Sequence, residues 1–264
     1  MTFRTRILIA CLIVALAPLI VFALGARREV RDRLTTQFRD RVAASTAVIH
    51  QDLAREASAL DARLSALIAR IDEDPAMRAA LLRNERSALL DYAPEAMAVA
   101  NLDYLALVDS AGALYSSGHF RSDYDRTIAA LQPILSASGP VLLSARRPEG
   151  SYLALTRARP FQLAGQQFAL VGGTEIDSGF VRRLARGADT TVAVWLAYPG
   201  GTLATRAVSQ TGAPDQQISL PFIDDANENP VVDTARWSIA HSRAPLHRVL
   251  RGMDRWLIGA AMAA

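Results

Sequence analysis

The residues that could support catalysis or metal binding are scattered along this sequence. Its four histidines, His50, His119, His241 and His247, stand singly, and none has a partner at a ligand-like helical spacing. One cysteine, Cys11, allows neither an internal disulfide nor a cysteine-based metal cluster. No GxSxG nucleophile motif and no GxGxxG or GK[ST] phosphate loop occurs. The sequence therefore predicts a segment without catalytic residues, resident metal or cofactor.

A group of polar and aromatic residues between Leu102 and Ile176 could bind a ligand. An arginine fork can hold a carboxylate or phosphate, and phenol, hydroxyl and imidazole groups can add hydrogen bonds. For the histidine a plain surface-loop position is an open alternative, and for the arginines protection of a sheet edge is another. The candidate ligand-binding residues are Tyr115, Ser117, His119, Arg146, Tyr152 and Arg157.

The element that organises the chain is an uncharged run from Ile7 to Ala26. As a helix it spans ~30 Å, the thickness of the hydrocarbon core of a bilayer. A second apolar run begins at Trp256, directly behind an arginine. We predict a transmembrane helix over residues 1–26 and the start of a second one, truncated, over residues 244–264. A cleaved signal peptide is the alternative for the first run.

Charge and topology suggest where the remaining residues lie. The net charge of +3 comes from arginines that alternate with acids, and no lysine is present, so nucleic-acid binding is disfavoured. Large domains cross a membrane largely regardless of their charge. A long segment between two hydrophobic runs therefore favours an extracytoplasmic position for residues 27–254, next to the bacterial inner membrane.

From Arg27 to about Asp72 the chain has no glycine or proline, and apolar residues recur in steps of three and four. This pattern predicts a helical stalk ~70 Å long. Its apolar stripe either covers its own domain or pairs with a second copy in a homodimer. Asp74-Pro75 then predicts the start of a short helix, and Asn84 predicts the N-cap of another, which reaches Ala100 and is interrupted near Pro94. Residues 27–100 are thus predicted to be helical.

After Leu102 the apolar period becomes that of strands. Five strands with a helical segment over Tyr124 to Ser136 predict an antiparallel sheet with helices on one side, in a membrane-distal domain of residues 101–177. A short helix and further strands predict a second, smaller sheet in a membrane-proximal domain of residues 178–243. The expected fold class is α+β, with antiparallel sheet domains between two membrane helices.

The order of these elements, with LVDSAGALYSSGH after the stalk and LVGGTEID at the end of a hairpin, resembles a double-Cache, PAS-like sensor region. Such regions form the extracytoplasmic part of bacterial sensor histidine kinases and chemoreceptors. The resemblance implies a non-catalytic, small-molecule-sensing region of a dimeric two-component sensor histidine kinase, whose kinase module would lie beyond residue 264.

Several points stay open at this stage. The input region of a chemotaxis receptor or cyclase is an alternative, and so is a membrane-anchored periplasmic protein of other function. One Cache subgroup binds amino acids through spaced tyrosines and an Arg-x-Trp-Tyr motif. That signature is absent here, so the class of ligand does not follow from the resemblance.

Overall fold

The computed structural model divides the chain into two compact units, one of residues 1–45 with 241–264 and one of residues 46–240. In the first helix, the side chains are described at residues 14, 21 and 22 and from residue 25 onward. The structure describes residues 3–120, 124–148, 150–186, 192–205, 214–225, 232–241 and 252.

The first unit contains the beginning of helix α1, which extends from Phe3 to Glu73. In this unit Phe38 packs edge-on against the ring of His241, with centroids 6.2 Å apart. Among the described residues, no helix is long and apolar enough to cross a membrane. Most side chains of the run from Ile7 to Ala26 lie outside the described residues, as does the predicted second membrane segment apart from Gly252.

Helix α1 confirms the predicted stalk, since it is continuous over 71 residues. Two further helices follow it, α2 (Pro75–Arg83) and α3 (Arg86–Ala100). The Asp74 carboxylate caps α2 by accepting the backbone N–H groups of the second and third helical residues.

Two predictions about these short helices were wrong. Asn84 is the C-cap of α2, in the left-handed conformation at φ 52°, rather than the N-cap of α3. Asparagine suits this position because its short polar side chain tolerates positive φ. Helix α3 also continues through Pro94, at the cost of one backbone hydrogen bond.

All nine described strands belong to one sheet, in the order β2-β1-β5-β4-β3-β8-β9-β6-β7. Two helices interrupt the strands, α4 (Leu131–Ser136) and α5 (Ser178–Arg186). The strands are β1 (Tyr104–Asp109), β2 (Leu114–Ser117), β3 (Val141–Arg147), β4 (Gly150–Leu163), β5 (Gln166–Glu175), β6 (Val192–Tyr198), β7 (Gly201–Ala204), β8 (Gln216–Asp224) and β9 (Asp233–His241).

The prediction of two separate sheets was wrong, because β3 and β8 pair in parallel and join them. Leu142 lies opposite Phe222 and Ser144 lies opposite Asp224 in this pairing. The helix predicted from Tyr124 is also shorter, and only α4 is helical. The segment before α4 bonds to the turn and strand at β2 instead, through the Ala113–Thr127 bridge. The assignments of membrane-distal and membrane-proximal domains stay predictions.

The sheet has an apolar layer on each face. The face that packs against α1, α2 and α3, which we call the α1 face, includes Leu105, Leu107, Leu142, Leu155 and Leu170, and Leu60 and Leu64 of α1 pack on it. The opposite face, which we call the α4 face, includes Ala106, Val108, Leu143, Ala154 and Val171, and Leu131 and Ile134 of α4 pack on it. The expectation of helices on one side only is therefore corrected, since both faces are covered.

Candidate functional site

A β-bulge in β2 separates two of the candidate residues. Ser117 pairs with Ala106, Ser116 pairs with Leu107, and Leu114 pairs with Val108, which leaves Tyr115 without a partner on β1. Because the bulge adds one residue, it reverses the alternation of side chains along β2. Tyr115 packs on the α1 face against Phe168, with centroids 5.6 Å apart, whereas Ser117 lies on the α4 face beside the buried Ala106.

On the α4 face, Ser117 and His119 lie against the first residue of β1. The Ser117 hydroxyl is 3.4 Å from His119 Nδ1, and it accepts the backbone N–H of Phe120 at 3.3 Å. The His119 ring stacks on Tyr104, with centroids 4.7 Å apart. Residues 121–123, which follow, lie outside the described residues. The arrangement places a hydroxyl, an imidazole and an aromatic ring together.

Tyr152 extends this polar group along the same face. Its hydroxyl donates to the Asp103 carbonyl oxygen at 2.9 Å, and the Arg147 guanidinium lies 3.6 Å above its ring. Arg147 also forms an ion pair with Glu175 at 2.8 Å, and the Glu175 N–H donates to the Asp103 carboxylate at 2.8 Å. Burial raises the pKa of Tyr152 to about 12, so the phenol is neutral and can donate at physiological pH.

We call this group the α4-face cluster. Sequence reasoning identified three of its members and missed Asp103, Tyr104, Arg147 and Glu175. The register of β3 on β4 would have identified Arg147. Tyr152 pairs with Ala145, and Arg147, two residues further along β3, has its side chain on the same face. Its members are Asp103, Tyr104, Ser117, His119, Arg147, Tyr152 and Glu175.

The arginine candidates do not join this cluster. Arg157 projects to the α1 face, where it donates to both carboxylate oxygens of Asp61, at 3.0 and 2.8 Å. A further N–H donates to the Ser138 carbonyl oxygen at 2.8 Å. Arg146 donates to the Asp225 carbonyl oxygen at 2.6 Å, and about half of its side chain is exposed. The six predicted residues are therefore not brought together in one pocket.

Two of the cavities that adjoin α1 in the second unit lie beside Arg157 and Tyr92. A groove of about 360 Å³ lies between α1, the loop before β3, β4 and β8, and Asp61 and Arg157 are among its lining residues. A cleft of about 390 Å³ lies among α1, α2 and α3, beside Tyr92. Burial raises the pKa of the Tyr92 hydroxyl well above its usual range, so it is neutral at physiological pH.

The α4-face cluster brings together several hydrogen-bonding groups of different kinds. It presents a hydroxyl, an imidazole, a neutral phenol and a guanidinium, which suit hydrogen bonds to a small polar molecule. Within the described part of the chain, no group of three or more histidine, cysteine, aspartate or glutamate side chains is placed to hold a metal ion.

Solved structures similar to the chain are domains of signalling receptors. The periplasmic domain of Vibrio cholerae LuxQ is 18% identical over 76% of this chain and 99% of that one, with a TM-score of 0.43. The sensor domain of the V. cholerae histidine kinase DctB is 13% identical over 64% of each chain, with a TM-score of 0.40. The ligand-binding domain of the Campylobacter jejuni chemoreceptor Tlp3, solved with L-valine, is 12% identical over 82% of this chain and 96% of that one, with a TM-score of 0.47.

These are periplasmic, sensor or ligand-binding domains of the class that the sequence resemblance indicated. No model of a known protein family and no curated protein matches the chain. The function is therefore argued from the chain's own geometry.

Proposed function

We propose that the chain is the extracytoplasmic sensing region of a membrane receptor, in which the α4-face cluster binds a small polar molecule and α1 transmits the signal. One observation supports this most directly. A single sheet carries the polar cluster on one face and packs against α1 on the other, and α1 is continuous from Phe3, through the apolar run, to Glu73. A change at the cluster therefore has a short physical route to a helix that includes the predicted membrane segment.

The cluster suggests the chemistry of the ligand. Arg147 is only about one-third exposed and is paired with Glu175, whose side chain is exposed to the same degree. A carboxylate on the ligand would take over part of this pairing through the guanidinium fork, while His119 donates a hydrogen bond and the Tyr152 hydroxyl exchanges its bond to the Asp103 carbonyl for one to the ligand. The proposed ligand is therefore a small molecule that carries a carboxylate.

The output module is a further part of the proposal. We place a histidine kinase module beyond residue 264, with the input region of a chemotaxis receptor or cyclase as the alternative. Val30 and Val48 of α1 are exposed large apolar residues, with 37% and 36% of their surface accessible. These residues suit pairing of α1 with a second copy, as the proposed homodimer requires.

The test joins the full chain to the cytoplasmic half of a histidine kinase and measures autophosphorylation in membranes. The probes are the L-amino acids and short mono- and dicarboxylates. We expect at least one compound to change autophosphorylation in a dose-dependent way. Tyr152→Phe and His119→Ala should each raise the required concentration about tenfold, since each removes one hydrogen bond from a half-buried site.

Tyr198→Phe is the matched control, because Tyr198 packs against Phe222 of β8 in the apolar cluster of the α1 face, opposite the α4-face cluster. It should leave the response unchanged. The proposal would be contradicted if the receptor inserts correctly but no probe changes its autophosphorylation. Chemical conversion of a probe by the purified chain would also contradict it.

A further inference from the structure

Arg157 contacts two parts of the chain that belong to different faces of the sheet. Two of its N–H groups donate to Asp61 of α1, and another donates to the Ser138 carbonyl oxygen. Ser138 lies in the loop between α4, which ends at Ser136, and β3, which begins at Val141. One guanidinium therefore connects α1 with the loop that directly follows α4.

The loop is closely tied to α4 and to the α4 face. Leu131 and Ile134 of α4 are buried there with Val141, the residue with which β3 begins. On the same face, the Thr156 hydroxyl donates to the Val141 carbonyl oxygen at 2.9 Å. A displacement of α4 must therefore also displace residues 137–140. Arg157, whose side chain lies on the α1 face, is hydrogen-bonded to this segment at Ser138.

The connection to α1 lies beside the apolar contacts of that helix. Leu60, Leu64 and Leu67 are almost completely buried against the sheet and helices. Next to them, the groove of about 360 Å³ lies between α1 and the loop before β3, and Asp61 and Arg157 are among its lining residues. At this groove the ion pair connects α1 to β4, and the hydrogen bond to Ser138 connects β4 to the loop.

The geometry of the pair suits a directional connection. Both carboxylate oxygens of Asp61 are bound by one planar fork, which fixes orientation as well as distance. The Arg157 and Asp61 side chains are 19% and 26% exposed, so water screens them less than it screens a surface pair.

We propose that Arg157 is a coupling residue that transmits displacements of α4, through the Ser138 carbonyl, to α1 at Asp61. This inference rests on the proposed function for its meaning in signalling. When a ligand binds on the α4 face and displaces α4, the loop of residues 137–140 is displaced with it. Arg157 then moves Asp61 and changes which position of α1 is favoured, which is a population shift between two arrangements.

The test measures hydrogen exchange of backbone amides in the full chain in detergent and needs no ligand. Ile134→Ala removes a buried side chain beneath α4 and loosens the helix. We expect amides of residues 54–61 in α1 to exchange about fivefold faster in this variant. In a chain that already carries Arg157→Gln, Ile134→Ala should not increase the exchange of residues 54–61 further, because the connection between the loop and α1 is already broken.

Two controls separate coupling from general loss of stability. Val108→Ala removes an equally buried side chain of the α4 face, on β1 and away from the loop. In each background, adding Val108→Ala should leave the exchange rates of residues 54–61 as they are without it. Ile134→Val is a milder substitute if Ile134→Ala does not fold. Arg157→Lys keeps the charge but loses the fork, so it should behave like Arg157→Gln.

Equal effects of Ile134→Ala in the two backgrounds, or no effect in the native background, would overturn the coupling role. The fused receptor distinguishes this from failure of the proposed function. A receptor that responds to a probe equally well with Arg157→Gln retains the function and loses the coupling. If Arg157→Gln abolishes the effect of Ile134→Ala on exchange, and the fused receptor responds to no probe, the coupling role holds and the proposed function fails.

Discussion

Arg157 and Tyr152 are five residues apart on β4, and their side chains project from opposite faces of the sheet. Each therefore meets a different set of charges. Arg157 binds a carboxylate of α1, whereas Tyr152 lies beneath Arg147 and donates to a backbone carbonyl. The environment of each side chain follows from parity along the strand, although both residues were predicted to line the same pocket.

The neutral phenol of Tyr152 has a consequence for stability at high pH. Burial raises its pKa to about 12, above the ordinary value of about 10 for a tyrosine, so the folded state holds this proton more tightly than the unfolded state. The stabilising contribution is complete below pH 10 and should be lost as the pH rises from 10 to 12.

We expect the urea midpoint, followed by tryptophan fluorescence, to fall over this range. Tyr152→Phe should make the fall shallower. Tyr92 and Tyr115, whose pKa values are also raised by burial, should contribute to the rest of the slope, and Tyr92→Phe should remove the part due to Tyr92. An identical slope in Tyr152→Phe and the native chain would contradict the assignment of Tyr152.

At the scale of elements, close packing of α1 on the sheet depends on a glycine. A methyl group at Gly172 of β5 would lie 2.7 Å from Leu64 Cδ2 of α1 and 3.2 Å from Leu102 Cδ1. Leu64 is fully buried, so it has little room to move. The absent side chain at Gly172 therefore allows helix and sheet to pack directly.

Gly172→Ala should destabilise the chain by about 1–3 kcal/mol, because the added methyl group overpacks this contact. Gly139→Ala is the matched control, since no atom lies within 4 Å of the added carbon there, and it should be close to neutral. Urea unfolding of both variants measures the difference. Equal unfolding free energies would show that α1 adjusts without cost.

At the scale of the whole molecule, α1 is the element that the proposed signal must follow. An insertion of one residue near Ala47 turns the rest of a helix by ~100°, whereas seven residues nearly restore its phase. We expect the single insertion to lock or abolish autophosphorylation of the fused receptor, and the seven-residue insertion to preserve its response. Equal signalling from the two insertion variants would mean that α1 does not transmit the signal.

The sequence by itself determined the features that depend on neighbouring residues. The apolar steps of three and four predicted a continuous α1, and the Asp74-Pro75 pair predicted the start of α2. Helix periodicity, capping and turn preference act over a few residues, so their signals survive in a single sequence.

Only the tertiary structure decided which side chains meet. The parallel pairing of β3 with β8 made one sheet of two predicted ones, and the bulge at Tyr115 moved Ser117 to the α4 face. Asp61 and Arg157 form their ion pair across 96 residues of sequence. Strand partners and bulges depend on contacts between distant segments, and a shift of one residue reverses the face of every later side chain in the strand. Local patterns carry no information on such contacts, which is why the candidate site was predicted only in part.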